Sequence, residues 1–253
     1  MKQNYGKRKR ITACAVLLCL LTLLLCSCTK TNKTEEPAVS ATPGEAEPVN
    51  SPTPTFGFRD PSVENVNGYA ETGIPQIDGE NANLWNLSQA YWVENCVQGD
   101  ANSVQAMFRV LWDEDCLYLR VHILDKTPDT EAESVYDRDS VFFFINEDAK
   151  KNKVYSVGDA FYAVDRDGRG YLGSGATGTG FVCKAYEDPA MPGYYVEARI
   201  PLMTVTGRFD RQIGFDIRIN NAEEGKTEHI LQWADSDCHT DATLQGVGIL
   251  TMD

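Results

Sequence analysis

Between Ser134 and Phe144 the chain reads SVYDRDSVFFF, so that Tyr136, Asp137, Arg138 and Asp139 stand directly before Val141-Phe142-Phe143-Phe144. A buried strand accounts for the phenylalanines. A tyrosine beside a guanidinium and two carboxylates is chemistry of another kind. It offers a rigid amphipathic surface that can stack on the apolar face of a ring, with hydrogen-bonding groups at its rim. Tyr136 and Arg138 are therefore candidate ligand-binding residues. The structural alternatives are a rim tyrosine covering the edge of the fold and an arginine paired with neighbouring carboxylates.

Other reactive residue types are present without a catalytic pattern. Asp113-Glu114-Asp115, Asp165-Asp167-Gly168 and Asp235-Asp237 are acidic clusters of the kind a calcium ion requires, since it takes several hard oxygen ligands. None completes the D-x-D-x-D-G loop with its distal Glu, and Asp167-Gly168 is also a strong hairpin-turn dipeptide. Structural calcium is thus an expectation with no ligands assigned. His122, His229 and His239 show no metal or triad spacing, and a haem held by Met107 or Met203 with His122 or His229 finds no support in their spacing. No G-x-S-x-G or H-E-x-x-H occurs, so the reading is of a protein that is not an enzyme.

These residues must be positioned by a domain that begins well inside the chain. Lys2, Lys7, Arg8, Lys9 and Arg10 precede the apolar run Ile11–Leu25, which ends in Leu25-Cys26-Ser27-Cys28. This pattern is a secretory signal closing on a lipobox, with residues 1–27 removed and Cys28 lipidated. Such a protein is expected outside the cytoplasm, held to a bacterial membrane by its lipid. Removing the leader strips five of the 23 basic residues and none of the 37 acidic ones, taking the formal charge from −14 to −19. That balance argues against nucleic acid as a partner. Residues 28–66 are polar and hold six of the 11 prolines, as expected of a semi-extended tether. Residues 67–253 remain for one domain.

Four cysteines, Cys96, Cys116, Cys183 and Cys238, fall in that domain without a C-x-x-C pair. Two disulfides, of undetermined connectivity, are open to an extracytoplasmic protein, and Cys116 and Cys183 also read as buried thiols in strands.

The domain reads as all-β. Ala106–Trp112 and Leu117–Ile123 flank an acidic turn, a hairpin signature. Val141–Ile145 is apolar on both faces, like a central strand. Phe161–Val164 and Tyr171-Leu172 flank Asp167-Gly168. Tyr194, Val196, Ala198 and Ile200 alternate with polar residues, as do Ile213, Phe215, Ile217 and Ile219. The latter run predicts a half-buried strand with Gly214, Asp216, Arg218 and Asn220 facing out. About eight to eleven such strands predict an antiparallel, jelly-roll-like β-sandwich.

Seven ordered blocks, IPQIDGENANLWN, FRVLWDEDCLYLRVHILD, VYDRDSVFFFIN, GYYVEARIPL, IGFDIRINN, LQWAD and VGILTM, resemble carbohydrate-binding module family 9 from about Ile74 to Met252. That resemblance implies a β-sandwich, often with structural calcium, of the kind attached to xylanases or found in secreted proteins. In sugar-binding members two tryptophans clamp a sugar ring, and an acid, an arginine and a glutamine on nearby strands bind its hydroxyls. Here Tyr136 falls on the first aromatic position and Arg218 on the glutamine. Phe142 replaces the acid, Ala163 the arginine and Asp241 the second aromatic. No Trp, Tyr or Phe lies between Trp233 and the C-terminus, so a paired aromatic clamp is not expected. Trp85, Trp112 and Trp233 lie in framework blocks and are expected in the core, whereas Trp92 could be core or site.

Taken with the resemblance, the expected function is non-catalytic binding of a plant-type or cell-wall polysaccharide, xylan-like or glucan-like, at Tyr136, Arg218, Arg138 and Asp241. The alternative is a structural or protein-interaction module of the cell envelope that has lost the sugar site.

Overall fold

The acidic turn Asp113-Glu114-Asp115 folds on itself. The Asp113 side chain accepts from the backbone N–H groups of Asp115 (2.8 Å) and Cys116 (2.7 Å) and from the Tyr118 hydroxyl (2.6 Å). It joins the strands Gln105–Trp112 and Cys116–Leu124. The computed structural model describes residues 66–79, 82–234 and 242–253, all within one unit spanning Phe58–Asp253. Cys28 with its lipobox, the tether, Asp235–Asp237, Cys238, His239 and Asp241 lie outside the described residues.

Thirteen strands run among the described residues. They are β1 (Asn67–Thr72), β2 (Ala90–Val93), β3 (Asn95–Gln98), β4 (Gln105–Trp112), β5 (Cys116–Leu124), β6 (Ser140–Asn146), β7 (Asp159–Asp165), β8 (Gly170–Leu172), β9 (Val182–Glu187), β10 (Tyr194–Pro201), β11 (Gln212–Glu223), β12 (Lys226–Gln232) and β13 (Gly248–Met252). One helical turn, Ala82–Trp85, precedes β2. The three-residue β8 was expected from its turn, whereas β1, β2, β3 and β9 show no clear apolar alternation in the sequence.

The strands form a β-sandwich. In the first sheet the order is β8-β7-β6-β11; β13 then pairs with the first half of β11 and β12 with its second half, and β3 pairs with β12. The second sheet runs β9-β10-β5-β4, with β2 on the first half of β4. β1 belongs to both. It runs parallel to β13 through Asn67–Ala70 and parallel to β4 through Glu71–Thr72. Every other pairing is antiparallel.

The core lies between the sheets. Phe108 of the second sheet meets Phe215 of the first at 5.6 Å between ring centroids, and Trp233 stands edge-on to Phe108 at 5.4 Å. Such tilted pairs add roughly 0.5–1.5 kcal/mol beyond the area they bury. Trp85, Trp112 and Trp233 are all buried, as expected, while Trp92 is half-buried. In the β7–β8 turn Gly168 adopts φ +81°, a left-handed conformation that glycine takes without strain.

β11 departs from its expected half-solvated character. All of Ile213–Ala222 is buried. A second apolar layer, which includes Phe142, Phe144, Phe161, Leu244 and Val247, lies on the outer face of the first sheet. The alternation in β11 therefore separates an apolar inner face from a polar but covered outer one. Cys96, Cys116 and Cys183 are free thiols.

Candidate functional site

Strand register brings the positions singled out above into one row. On the outer face of the first sheet Arg218 pairs across to Phe142, Phe142 to Ala163, and Ala163 to Tyr171. Tyr136 overhangs this row from a 3₁₀ turn, Val135–Asp137, that leads into β6. Ser134 caps the turn by accepting from the Tyr136 N–H (3.2 Å). The Tyr136 carbonyl accepts from Asn220 Nδ2 (3.1 Å) and Thr227 Oγ1 (2.5 Å), which ties the turn to β11 and β12. The backbone of Tyr136 is thus pinned while the residue stays 40% exposed.

The ring of Tyr136 lies 5.1 Å from that of Phe142. The Arg218 guanidinium carbon is 4.4 Å above Phe142, 5.6 Å from Phe144 and 5.7 Å from Tyr136. Phenylalanine at the position of the expected acid therefore has a use: it floors the cation that stands where a glutamine would be. The structure thus brings Tyr136 and Arg218 together. It directs Arg138 elsewhere, to Asp165 Oδ2 at 3.1 Å and to the Ala132 carbonyl, in a buried ion pair.

Two polar groups of this face were not singled out in the sequence. Asp216 is fully buried, and its carboxylate accepts from Gln232 Nε2 (2.6 Å), Ala234 N (2.9 Å) and its neighbour Ile217 N (2.8 Å). Burial outweighs these donors and pushes its pKa up to about 7. Asn220, 2% exposed beside Tyr136, has an amide oxygen with no hydrogen-bond donor among the described residues. Both sit at outward positions of β11, so the period of two could have found them had the outer face been read as covered.

Among the described residues no three His, Cys, Asp or Glu side chains are placed to hold a metal ion. Asp165 is committed to Arg138, to the Tyr171 hydroxyl (2.8 Å) and to the Arg169 N–H (2.9 Å). The carboxylates that do converge surround an arginine. Arg166 reaches Asp125 at 2.6 Å and Asp139 at 3.3 Å, and grips both oxygens of Glu187 at 2.7 and 2.8 Å.

The row supplies a partly exposed aromatic ring, an immobilised guanidinium and a buried amide acceptor. That set can stack on a ring and hydrogen-bond hydroxyls. Residues 77–252 match the family described as carbohydrate family 9 binding domain-like, whose module binds without catalysing. The endo-1,4-β-xylanase A of Thermoanaerobacterium saccharolyticum is 29% identical over 181 residues, 71% of this chain and 15% of that protein. The enzyme of the same name from Thermotoga neapolitana is 32% identical over 168 residues, 66% of this chain and 16% of that protein. The chain therefore spans 15% to 16% of the length of these relatives. Among solved structures, a family 9 module from Caldicellulosiruptor kristjanssonii in complex with cellotriose superimposes with a TM-score of 0.68 at 23% identity, covering 74% of this chain and 94% of that one. A putative carbohydrate-binding protein from Bacteroides uniformis gives 0.56 at 11% identity, covering 75% and 100%. These two likenesses concern the fold. The family match takes in β2 to β13 and with them both sheets, and on that ground the chain belongs to the carbohydrate family 9 binding domain-like family.

Proposed function

We propose that this domain binds a glucan-like or xylan-like polysaccharide without transforming it, using the Tyr136 ring and the Arg218 guanidinium. The observation that carries the reading is the row itself: a tyrosine 40% exposed on a pinned backbone, a cation held within 5.7 Å of its ring, and the Asn220 oxygen alongside, without a donor among the described residues. The ligand class is supported by relatives named as xylanases and by a structural neighbour solved with cellotriose. With one aromatic instead of two, the grip is expected to be weaker than a clamp. The leader and lipobox support a further element of the reading, a lipid on Cys28 that holds the domain outside the cytoplasm at a bacterial membrane.

Isothermal titration of the full chain with cellotriose and xylotriose tests the site. One of the two is expected to bind, and Tyr136→Ala to weaken it by an order of magnitude or more. Binding by Tyr136→Ala equal to that of the unaltered protein would reject the site.

The apolar residues Phe142 and Ala163 favour a second reading, an envelope interaction module that has given up its sugar. Loss of glycan binding together with capture of one defined protein partner at this face would support it.

A further inference from the structure

The second sheet presents its outer face on the opposite side of the sandwich. A cleft of about 230 Å³ opens there over β4 and β5, with Trp85, Asn86, Arg109, Arg120, His122 and Tyr195 in its walls. The chain carries a net charge of −14, yet this cleft is lined by two arginines and no carboxylate.

Arg109 and Arg120 are direct cross-strand partners. Like charges so placed repel one another unless something stands between them. Arg109 is lowered from its ordinary pKa, first by burial and then by Arg120. Their protein partners leave them incompletely matched. Arg120 meets Glu197 only at 3.6 Å, and its buried Nε finds no hydrogen-bond acceptor among the described residues. The oxygens of Glu197 already accept from the Tyr186 hydroxyl (2.9 Å) and Gly79 N (3.0 Å). Arg109 donates to the Ser88 carbonyl, and Glu71, the carboxylate that it senses, accepts from Gln89 N.

Two further features define the occupant. Trp85 is fully buried, and its indole N–H has no acceptor among the described residues. A buried donor left in that state is costly, and native proteins rarely tolerate it without a ligand or water. His122 stacks on Tyr195 at 4.1 Å and 8°, and Tyr195 on Tyr186 at 5.2 Å and 17°. Because β5 lies between β10 and β4, the other side of His122 is turned toward β4 and the cleft, whose wall its cross-strand partner Met107 shares. The ring is held there by Asp188 at 2.8 Å from Nε2.

We propose that this cleft is a second glycan site, one that takes a sugar bearing a carboxylate. The carboxylate sits between Arg109 and Arg120, a sugar oxygen accepts from the Trp85 N–H, and the apolar face of the ring packs on His122. Asn86 can both donate to and accept from the hydroxyls. The volume is below the roughly 300–1,000 Å³ of pockets for larger ligands, which confines the contact to a single ring. A uronic acid residue meets all of these demands, and a neutral sugar or a small inorganic anion does not. The inference stands apart from the Tyr136 site.

The test follows the Trp85 indole N–H resonance of the full chain by NMR. The probes are xylotriose bearing glucuronic acid, trigalacturonate, neutral xylotriose and inorganic phosphate. At least one acidic sugar is expected to shift that resonance, and which of them does so identifies the source of the carboxylate. Its affinity should fall tenfold or more in Arg120→Gln, and in Met107→Glu, which adds a carboxylate to the cleft while leaving both arginines in place. Tyr136→Ala should leave the shift unchanged. The proposal is overturned if neither acidic sugar moves the resonance, if neutral xylotriose or phosphate moves it equally, or if Met107→Glu binds as tightly as the unaltered chain.

Discussion

Arg218 holds its guanidinium carbon 4.4 Å above the ring of Phe142, so a cation and an apolar side chain at directly opposed strand positions act as one unit. A desolvated contact of this kind contributes on the order of 2 kcal/mol.

Replacing the cation should therefore harm both stability and binding. Arg218→Ala is expected to lower stability by about 2 kcal/mol in urea denaturation and to abolish the binding heat of whichever of cellotriose and xylotriose the unaltered protein takes. Arg218→Lys keeps the charge but not the planar stack, and should fall between the two. An alanine variant as stable as the unaltered protein would show that Phe142 does not hold the cation.

Asp216 should make stability depend on pH. Its folded pKa is about 7 against 3.8 for the ordinary side chain. Between those values the unfolded chain has released a proton that the folded protein still holds. Stability is thus fully present below about pH 4 and declines as the pH rises through 7, by up to about 1.4 kcal/mol per unit. Asp216→Asn retains an oxygen for the backbone donors and removes the titration, so its stability profile should be flatter by about one proton. Asp139, also pushed up by burial, leaves a residual slope.

Glu147, 1% exposed at the end of β6, organises the loop after β10. Its carboxylate accepts from the backbone N–H groups of Met203 (2.6 Å), Thr204 (2.5 Å) and Val205 (3.1 Å). Glu147→Ala would remove the shared acceptor of three part-buried backbone donors. The expected loss is about 1–3 kcal/mol, read from the urea midpoint, and Glu147→Gln should cost less because one oxygen remains.

Arg166 gathers Asp125, Asp139 and Glu187, the first two 2% and 1% exposed. Removing the guanidinium strands buried carboxylates, at a cost of about 3–5 kcal/mol. Arg166→Ala is expected to unfold at markedly lower urea, and Arg166→Lys to recover only part of the loss because it cannot fork. A midpoint unchanged in Arg166→Ala would mean that solvent reaches these acids.

Much of this was legible beforehand. The β4–β5 hairpin, the Phe-rich β6 and the β7–β8 turn follow from periodicity and turn residues, because each involves residues near one another in sequence. Arg138 and Asp216 were less readable for a common reason. Whether Arg138 points at a ligand or at Asp165, 27 residues away, depends on strand register, which a local pattern does not carry. Whether Asp216 is solvated depends on Gln232 and Ala234, 16 and 18 residues away, which meet its carboxylate only once β12 is paired to β11. The arginine cleft of the second sheet was hidden in the same way, since Arg109 and Arg120 meet only once β4 and β5 are paired.

β1 adds a mechanical consequence. Its backbone is bonded to β13 along one stretch and to β4 along the next, in parallel in both cases. Tension applied to the chain ahead of Asn67 runs along this strand and loads its bonds to both sheets in shear, together and not one after another. The domain should yield to such a pull abruptly, at a high force, where a peeled hairpin would open bond by bond.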